Sequence, residues 1–351
     1  MRKYAIWGTA TSPAHEEWVR RVGAEFERDG FGLVDDIADA DFVLNMFDAE
    51  DPKAFRRAAR GTYSASFYEL PAVPADVLKE SYPMLVRTLA NVVLLHVPGE
   101  GVWFTTMERG TYQVSEDPAE IYERLSPLAT SKLVIDNEWI PDLESELWDG
   151  DEITADIGAA GRRLGELDLL PAPFPVHEFL NERDLRHVMR LYSVGGLSYG
   201  NLSARKDKTR FWMSASGVDK TQLEVPGRDI LMVTNYDEAK AKIVLSVPPG
   251  IEPRRVSVDA IEHWMIYQGH PDVGAILHVH AWMEGIAATD VNYPCGTEEL
   301  AVAVADLIAQ ERDTAHAVIG LRNHGITATG ESLSEILDRI ESSILRQVPM
   351  T

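Results

Sequence analysis

Apolar positions along this chain change rhythm between strand-like runs and helical spacing. Tyr4–Trp7 is a short run of strand character, and the segment Pro13–Arg28 that follows sets Trp18, Val22 and Phe26 on one helical face. Asp41–Met46 predicts a buried strand, and Pro52–Arg60 a second helix opened by Asp51 and Pro52. A strand at Tyr63–Tyr68, a helix at Leu78–Leu89, a strand at Val92–Val97 and a hairpin at Val102–Val114 around Arg109-Gly110 complete the series. Strands alternating with helices predict a small α/β domain over residues 1–145.

The rhythm breaks at the acidic run Asp142–Glu152 (DLESELWDGDE). A helix predicted from about Thr154 to Leu167 and the stiff segment Pro171–Pro175 (PAPFP) make residues 146–176 a junction leading into a second domain, 177–351. No internal repeat or low-complexity stretch interrupts either half.

Composition narrows the class. Of the 351 residues 45% are hydrophobic and 25% charged, as in ordinary globular chains. The apolar runs are too short to span a bilayer, and the start MRKYAIWGTATSP lacks a signal-peptide core, so no membrane partner is expected. One cysteine, Cys295, rules out an internal disulfide and fits a reducing cytoplasm. The formal charge of −23 repels phosphate backbones, which argues against nucleic acid, and an anionic substrate would need a site that overcomes this field locally.

The N-terminal half offers little recognisable chemistry. Gly8–Ser12 reads as a strand-to-helix turn with Ser12 as helix cap, no nucleotide-binding glycine pattern is present, and His15 and His96 read as isolated imidazoles. The C-terminal half is different. In PDVGAILHVH, His278 and His280 lie two apart on a predicted strand and so share a face, a workable half-site for a divalent ion. In LRNHG, a turn after the strand-like Val318–Leu321 presents His324, with Gly325 expected to allow the bend. Asp259 opens a predicted helix, Asp259–Gln268, either as a capping box with Glu262 or as a carboxylate that moves a proton at the site. His263, four residues on, is placed to support that carboxylate. GNLSAR and MSASG are polar glycine-bearing turns able to offer amides to an anion.

Taken in order, GNLSAR, MSASGVDK, Ser257-Val258-Asp259, YQGHPDVGAILHVH, GTEELA and LRNHG resemble the class II aldolase/adducin family over roughly half the chain. The resemblance implies an α/β/α domain with a central, mainly antiparallel sheet, assembled as a homo-oligomer, often a tetramer. It implies that His278, His280 and His324 hold a divalent metal, Zn2+ first and Mn2+ or another ion as alternatives, with Asp259 as the acid/base group. Asn201, Ser216, Gly217 and Ser257 fall where the family holds substrate phosphate, although Val258 replaces a second serine there. Only 44 positions separate His280 from His324, and the segment Trp282–Cys295 is much shorter than in the family's sugar-phosphate enzymes. The implied function is a metal-dependent aldolase-type lyase acting on a small hydroxy-carbonyl or sugar-phosphate-like substrate through a metal-stabilised enediolate. Epimerase, dehydratase or decarboxylase chemistry at the same site, or a non-catalytic adducin-like interaction module, are the alternatives.

Overall fold

The computed structural model describes residues 1–55, 63–108, 110–170, 172–191 and 200–351, with side chains except at 187–191. The chain divides into two compact units: Met1–Thr130 with Pro175–Val188 and Pro349–Thr351, and Ser131–Phe174 with Met189–Val348.

The first unit contains β1 (Lys3–Gly8), α1 (Pro13–Arg28), β2 (Gly32–Leu33), β3 (Phe42–Met46), β4 (Tyr63–Glu69), α2 (Val77–Thr88), β5 (Val92–Val97), β6 (Gly101–Thr106), β7 (Gly110–Val114) and α3 (Pro118–Thr130). Its sheet runs β2-β1-β3-β4-β5-β6-β7. Strands β2 to β5 are parallel, and β6 and β7 add antiparallel. Parallel strands need both faces covered, and β3 and β5 are accordingly buried at every position. The helix at Pro13–Arg28 forms as its apolar spacing demands: Ser12 caps it by accepting from the His15 amide, and Trp18, Val22 and Phe26 face the core. In the segment expected as a second helix, Pro52–Phe55 is not helical, and 56–60 lie outside the described residues, as does Arg109 of the hairpin. The side chains of His15 and His96, expected to stand apart, are buried beside one another with ring nitrogens 3.3 Å apart.

The second unit begins upstream of the acidic run. It contains β8 (Asp136–Ile140) and α4 (Glu152–Glu166); α5 (Glu182–Leu191) then straddles the division between the units. After it come β9 (Asn201–Arg205), β10 (Phe211–Ser214), β11 (Ile230–Asp237), β12 (Lys242–Ser246), α6 (Ala260–Gly269), β13 (Ala275–Val279), β14 (Ala287–Ala288), α7 (Glu298–Gln310), β15 (Val318–Leu321), β16 (Gly325–Gly330) and α8 (Leu333–Ile340). The sheet order is β14-β15-β16-β13-β9-β10-β11-β12-β8, antiparallel except at its two outer pairs. Helices α4 and α8 pack on the strands around β9, and α6 pairs with α7, which gives the α/β/α layering.

The acidic run is held inside this unit by side-chain pairing. Asp151 caps α4 through the Thr154 amide at 3.0 Å, and its other oxygen accepts from Lys206 at 2.8 Å and Trp212 at 3.1 Å. Strand β8 pairs in parallel with β12. Among the described residues no helix is long and apolar enough to cross a membrane.

Candidate metal centre

β13 is central in its sheet, between β9 and β16, and its residues are all buried. Alternation along the strand sends His278 and His280 to one side, His280 lying just past the last strand residue. His324 reaches the same point from the turn between β15 and β16. Asn323, not Gly325, adopts the left-handed conformation of that turn, at φ 58°. Gly325 is needed for another reason: a Cβ there would sit 2.3 Å from the Val279 carbonyl oxygen, so only glycine lets the turn close against β13.

One ligand nitrogen from each of the three imidazoles lies within 4.8 Å of the other two. Nε2 of His324 and Nε2 of His280 are 3.1 Å apart. His278 Nδ1 donates to the Ile326 carbonyl at 3.1 Å, which fixes the tautomer because a carbonyl only accepts. Its Nε2 therefore carries a bare lone pair, and that atom is buried with no hydrogen-bond partner. Burial holds the rings neutral, with His278 lowered to about 4, His324 to about 3 and His280 well below the usual range. Two nitrogens bound to one tetrahedral ion at about 2.0–2.1 Å stand about 3.3 Å apart, so the His280–His324 spacing suits a shared ion. A buried, neutral, all-nitrogen donor set with one orphaned lone pair fits Zn2+ or a similar borderline ion better than Mg2+ or Ca2+.

Asp259 precedes α6 and is 5% exposed. The expected capping box does not form: its side chain makes no helix-capping bond and accepts instead from Asn201 Nδ2 at 2.8 Å. Asn201 pairs with His278 across β9 and β13, so the sheet register itself brings amide, carboxylate and imidazole together. Asp259 Oδ1 is buried without a hydrogen-bond partner. Burial raises the Asp259 pKa, with His324, the Gly296 backbone amide, the Asn201 amide and Lys220 pulling the other way. His263 does not reach this carboxylate. Its Nδ1 meets Ser203 Oγ at 2.7 Å, and Ser203 meets the Tyr267 hydroxyl at 2.9 Å, a network under the strand. Arg205 braces the far end of α6, donating to the carbonyls of Tyr267, His270 and Val273 at 2.7–3.0 Å.

Two functional candidates were not singled out by sequence. Glu262, one turn into α6, accepts from Thr327 Oγ1 at 2.5 Å and leaves Oε2 buried and unpartnered. Burial first, and Asp259 second, push its pKa up. Lys220, at the end of MSASGVDK, is 3% exposed, and burial lowers it to about 8 while Asp259 and Asp219 partly restore it. A charged residue in a glycine-turn motif was the available signal, but nothing local in the sequence shows that it is buried.

The remaining substrate candidates are brought together by backbone pairing. Ser216 N donates to the Arg255 carbonyl at 2.8 Å and Ser257 N to the Ser214 carbonyl at 3.2 Å, aligning the MSASG turn with the segment before Asp259. Ser216 and Gly217 are half-buried and Ser257 is 8% exposed.

Residues 185–291 match the family described as Class II Aldolase and Adducin N-terminal domain. Among curated proteins, a methylthioribulose-1-phosphate dehydratase of Leptospira biflexa is 30% identical over 111 residues, covering 31% of this chain and 49% of that protein. One of the same name from Citrobacter koseri is 28% identical over 173 residues, covering 40% of this chain and 78% of that protein. This chain thus spans about half the length of the Leptospira relative. Among solved structures, an L-fuculose 1-phosphate aldolase aligns at 20% identity with a TM-score of 0.38, covering 55% of this chain and 81% of that one. The segment 185–291, which lies within the C-terminal half and contributes strands to its mainly antiparallel sheet, is thus the part of this chain that matches the class II aldolase/adducin family.

Proposed function

We propose that the second unit is a metal-dependent lyase acting on a small hydroxy-carbonyl substrate by moving a proton next to the carbonyl. The observation that carries this reading is the convergence of three neutral imidazoles on one point, one of them with an orphaned lone pair, near a buried carboxylate. His278, His280 and His324 would hold a divalent ion. Such an ion supplies a Lewis acid that lowers the cost of negative charge developing beside a carbonyl.

The proton chemistry belongs to Asp259. Asn201 pins Oδ2, which leaves Oδ1 to accept the substrate proton and return it. Burial raises the proton affinity of this carboxylate toward the working pH, which is what a general base that must also act as an acid requires. Lys220 sits in the electrostatic field of Asp259 and offsets negative charge gathered at the site. Ser216, Gly217 and Ser257 would hold the anionic or hydroxylated end of the substrate through hydroxyl and amide donors.

Among lyase reactions we favour elimination of water, because the curated relatives named above are dehydratases. Aldol cleavage, epimerisation and decarboxylation pass through the same kind of enolate and draw on the same groups. A non-catalytic interaction module is the less economical reading, since an unpartnered imidazole nitrogen and an unpartnered carboxylate oxygen in one core cost a scaffold stability for no gain. We also propose a homo-oligomer, checked by light scattering of the purified chain. The test of function is metal analysis and turnover on a panel of phosphorylated and free hydroxy-ketones. The His278→Ala chain should lose turnover together with the ion bound at this centre. Undiminished turnover in that chain after chelation defeats the scheme.

A further inference from the structure

The first unit holds a second set of converging ligands. His15 lies on the first turn of α1, Glu69 is the last residue of β4, and His96 is one residue from the end of β5. Strands β1, β4 and β5 are parallel, so all three residues gather at the carboxyl end of the sheet, where open α/β sheets bind ligands.

His15 Nδ1 and His96 Nδ1 are 3.3 Å apart, and Glu69 Oε2 lies 3.7 Å from the first and 3.5 Å from the second. A tetrahedral ion with ligand bonds of about 2.0–2.2 Å spaces its donors by about 3.3–3.6 Å, which matches this triangle. The outer contacts set each donor for the purpose. His96 Nε2 donates to Glu116 Oε1 at 3.0 Å, so its Nδ1 lone pair faces the triangle. Glu116 Oε1 is itself fixed by the Gly99 amide at 2.8 Å. Ser12 Oγ donates to Glu69 Oε1 at 2.9 Å, which leaves Oε2 turned to the imidazoles. Trp18 stacks on His96 with centroids 4.2 Å apart and planes at 13°.

A hydrogen-bonded cluster without a cation accounts for less. One proton can bridge the two Nδ1 atoms, but His15 Nε2 then carries a bare lone pair, buried at a residue with no exposure and without a hydrogen-bond partner. With an ion in the triangle, His15 carries its proton on Nε2, directed at the Phe67 backbone carbonyl, and all three facing atoms act as donors. Burial also keeps His15 neutral, lowering it to about 4.

We infer that His15, Glu69 and His96 form a second, mononuclear site for a zinc-class divalent ion, held by two imidazoles and one carboxylate. Three protein ligands leave a coordination position open, and the Glu69 side chain, 17% exposed, is the route by which an ion enters. Two nitrogens and one carboxylate select Zn2+, Co2+ or Fe2+ over Mg2+ and Ca2+.

The experiment is titration of the chelator-stripped full chain with Zn2+ by calorimetry, repeated with Co2+ and read by its visible absorption. It is run on the native sequence, on a His278→Ala/His280→Ala chain and on Glu69→Gln, a near-isosteric change at a partly exposed position. The expected result is one ion retained by the double variant. Glu69→Gln should weaken that class of binding at least tenfold, and Glu116→Ala by about 10–100-fold. Binding of one ion that is lost in the double variant and indifferent to Glu69→Gln overturns the inference while leaving the lyase site intact. One ion that survives the double variant but not Glu69→Gln supports it and counts against the lyase site instead. No binding by the native chain overturns both.

Discussion

Asn201 and His278 face one another across neighbouring strands, and the Asn201 amide reaches from that position to Asp259 Oδ2 at 2.8 Å. One residue of sheet register therefore ties the candidate proton carrier to a candidate metal ligand. Asn201→Ala removes the donor without touching an imidazole. We expect metal content to stay at the native stoichiometry and kcat to fall roughly 10–100-fold, as for loss of one group that orients a catalytic base. Metal analysis beside steady-state kinetics checks this, and loss of metal in step with activity assigns Asn201 to the metal centre instead.

Metal binding should also be visible as stability. A ligand that binds only the folded chain adds about 2.7 kcal/mol when its free concentration is about a hundredfold above Kd. Thermal melts of the stripped chain should therefore rise on adding Zn2+. His324→Ala should abolish the part of that rise that belongs to this centre, because two remaining imidazoles hold an ion far more weakly than three. A rise of native size in His324→Ala excludes His324 as a ligand.

Much of this was readable in the sequence, for physical reasons that differ by residue. The helix at Pro13–Arg28 and the strand carrying His278 follow from periodicity, because burial on one face leaves a regular imprint. His15 and His96 left no such imprint: they are 81 positions apart and meet only because α1 packs over parallel strands. Strand β8 (DNEWI) alternates poorly and is mostly exposed, so its pairing with β12 was hidden, and the acidic run after it reads as a linker although Asp151 anchors it to Lys206 and Trp212. Glu262 could be read as half of a capping box, a local motif, whereas its actual partner, Thr327, lies 65 positions away.

Gly325 tests how tightly the turn bearing His324 is seated. A Cβ at that position meets the Val279 carbonyl oxygen at 2.3 Å, and backbone cannot yield as a side-chain tip can. Gly325→Ala should cost about 1–3 kcal/mol in urea unfolding, as overpacking does. It should also weaken metal binding, since the turn and β13 carry the ligands. An unchanged midpoint and unchanged affinity contradict the packing described.

The stripped protein should respond to pH at Glu262. Its folded pKa is raised from 4.5 to about 8, chiefly by burial and then by Asp259. A carboxyl that holds its proton more tightly when folded favours the fold at low pH, and that contribution is lost as pH climbs from about 4.5 to about 8. Glu262→Gln keeps the shape and an acceptor for Thr327 but removes the titration. In chelator, the variant should gain on the native chain by roughly 1–3 kcal/mol between pH 5 and pH 8. Parallel stability curves across that range rule the buried carboxyl out as the source.

Lys220 carries the last prediction. Its ammonium is buried, and its field lowers the Asp259 pKa while burial raises it. Gly161 of α4 packs so closely on the Lys220 carbonyl that an added Cβ would lie 1.9 Å from it, so the backbone of this residue is fixed. Lys220→Met keeps the length of the side chain and removes the charge. Without that charge Asp259 holds its proton to higher pH, and a base must be deprotonated to act. The acid limb of the kcat/KM profile should therefore move upward in pH, with kcat/KM recovering toward a plateau on the alkaline side. A limb that stays in place while the plateau falls means that Lys220 binds substrate directly and does not tune the carboxylate.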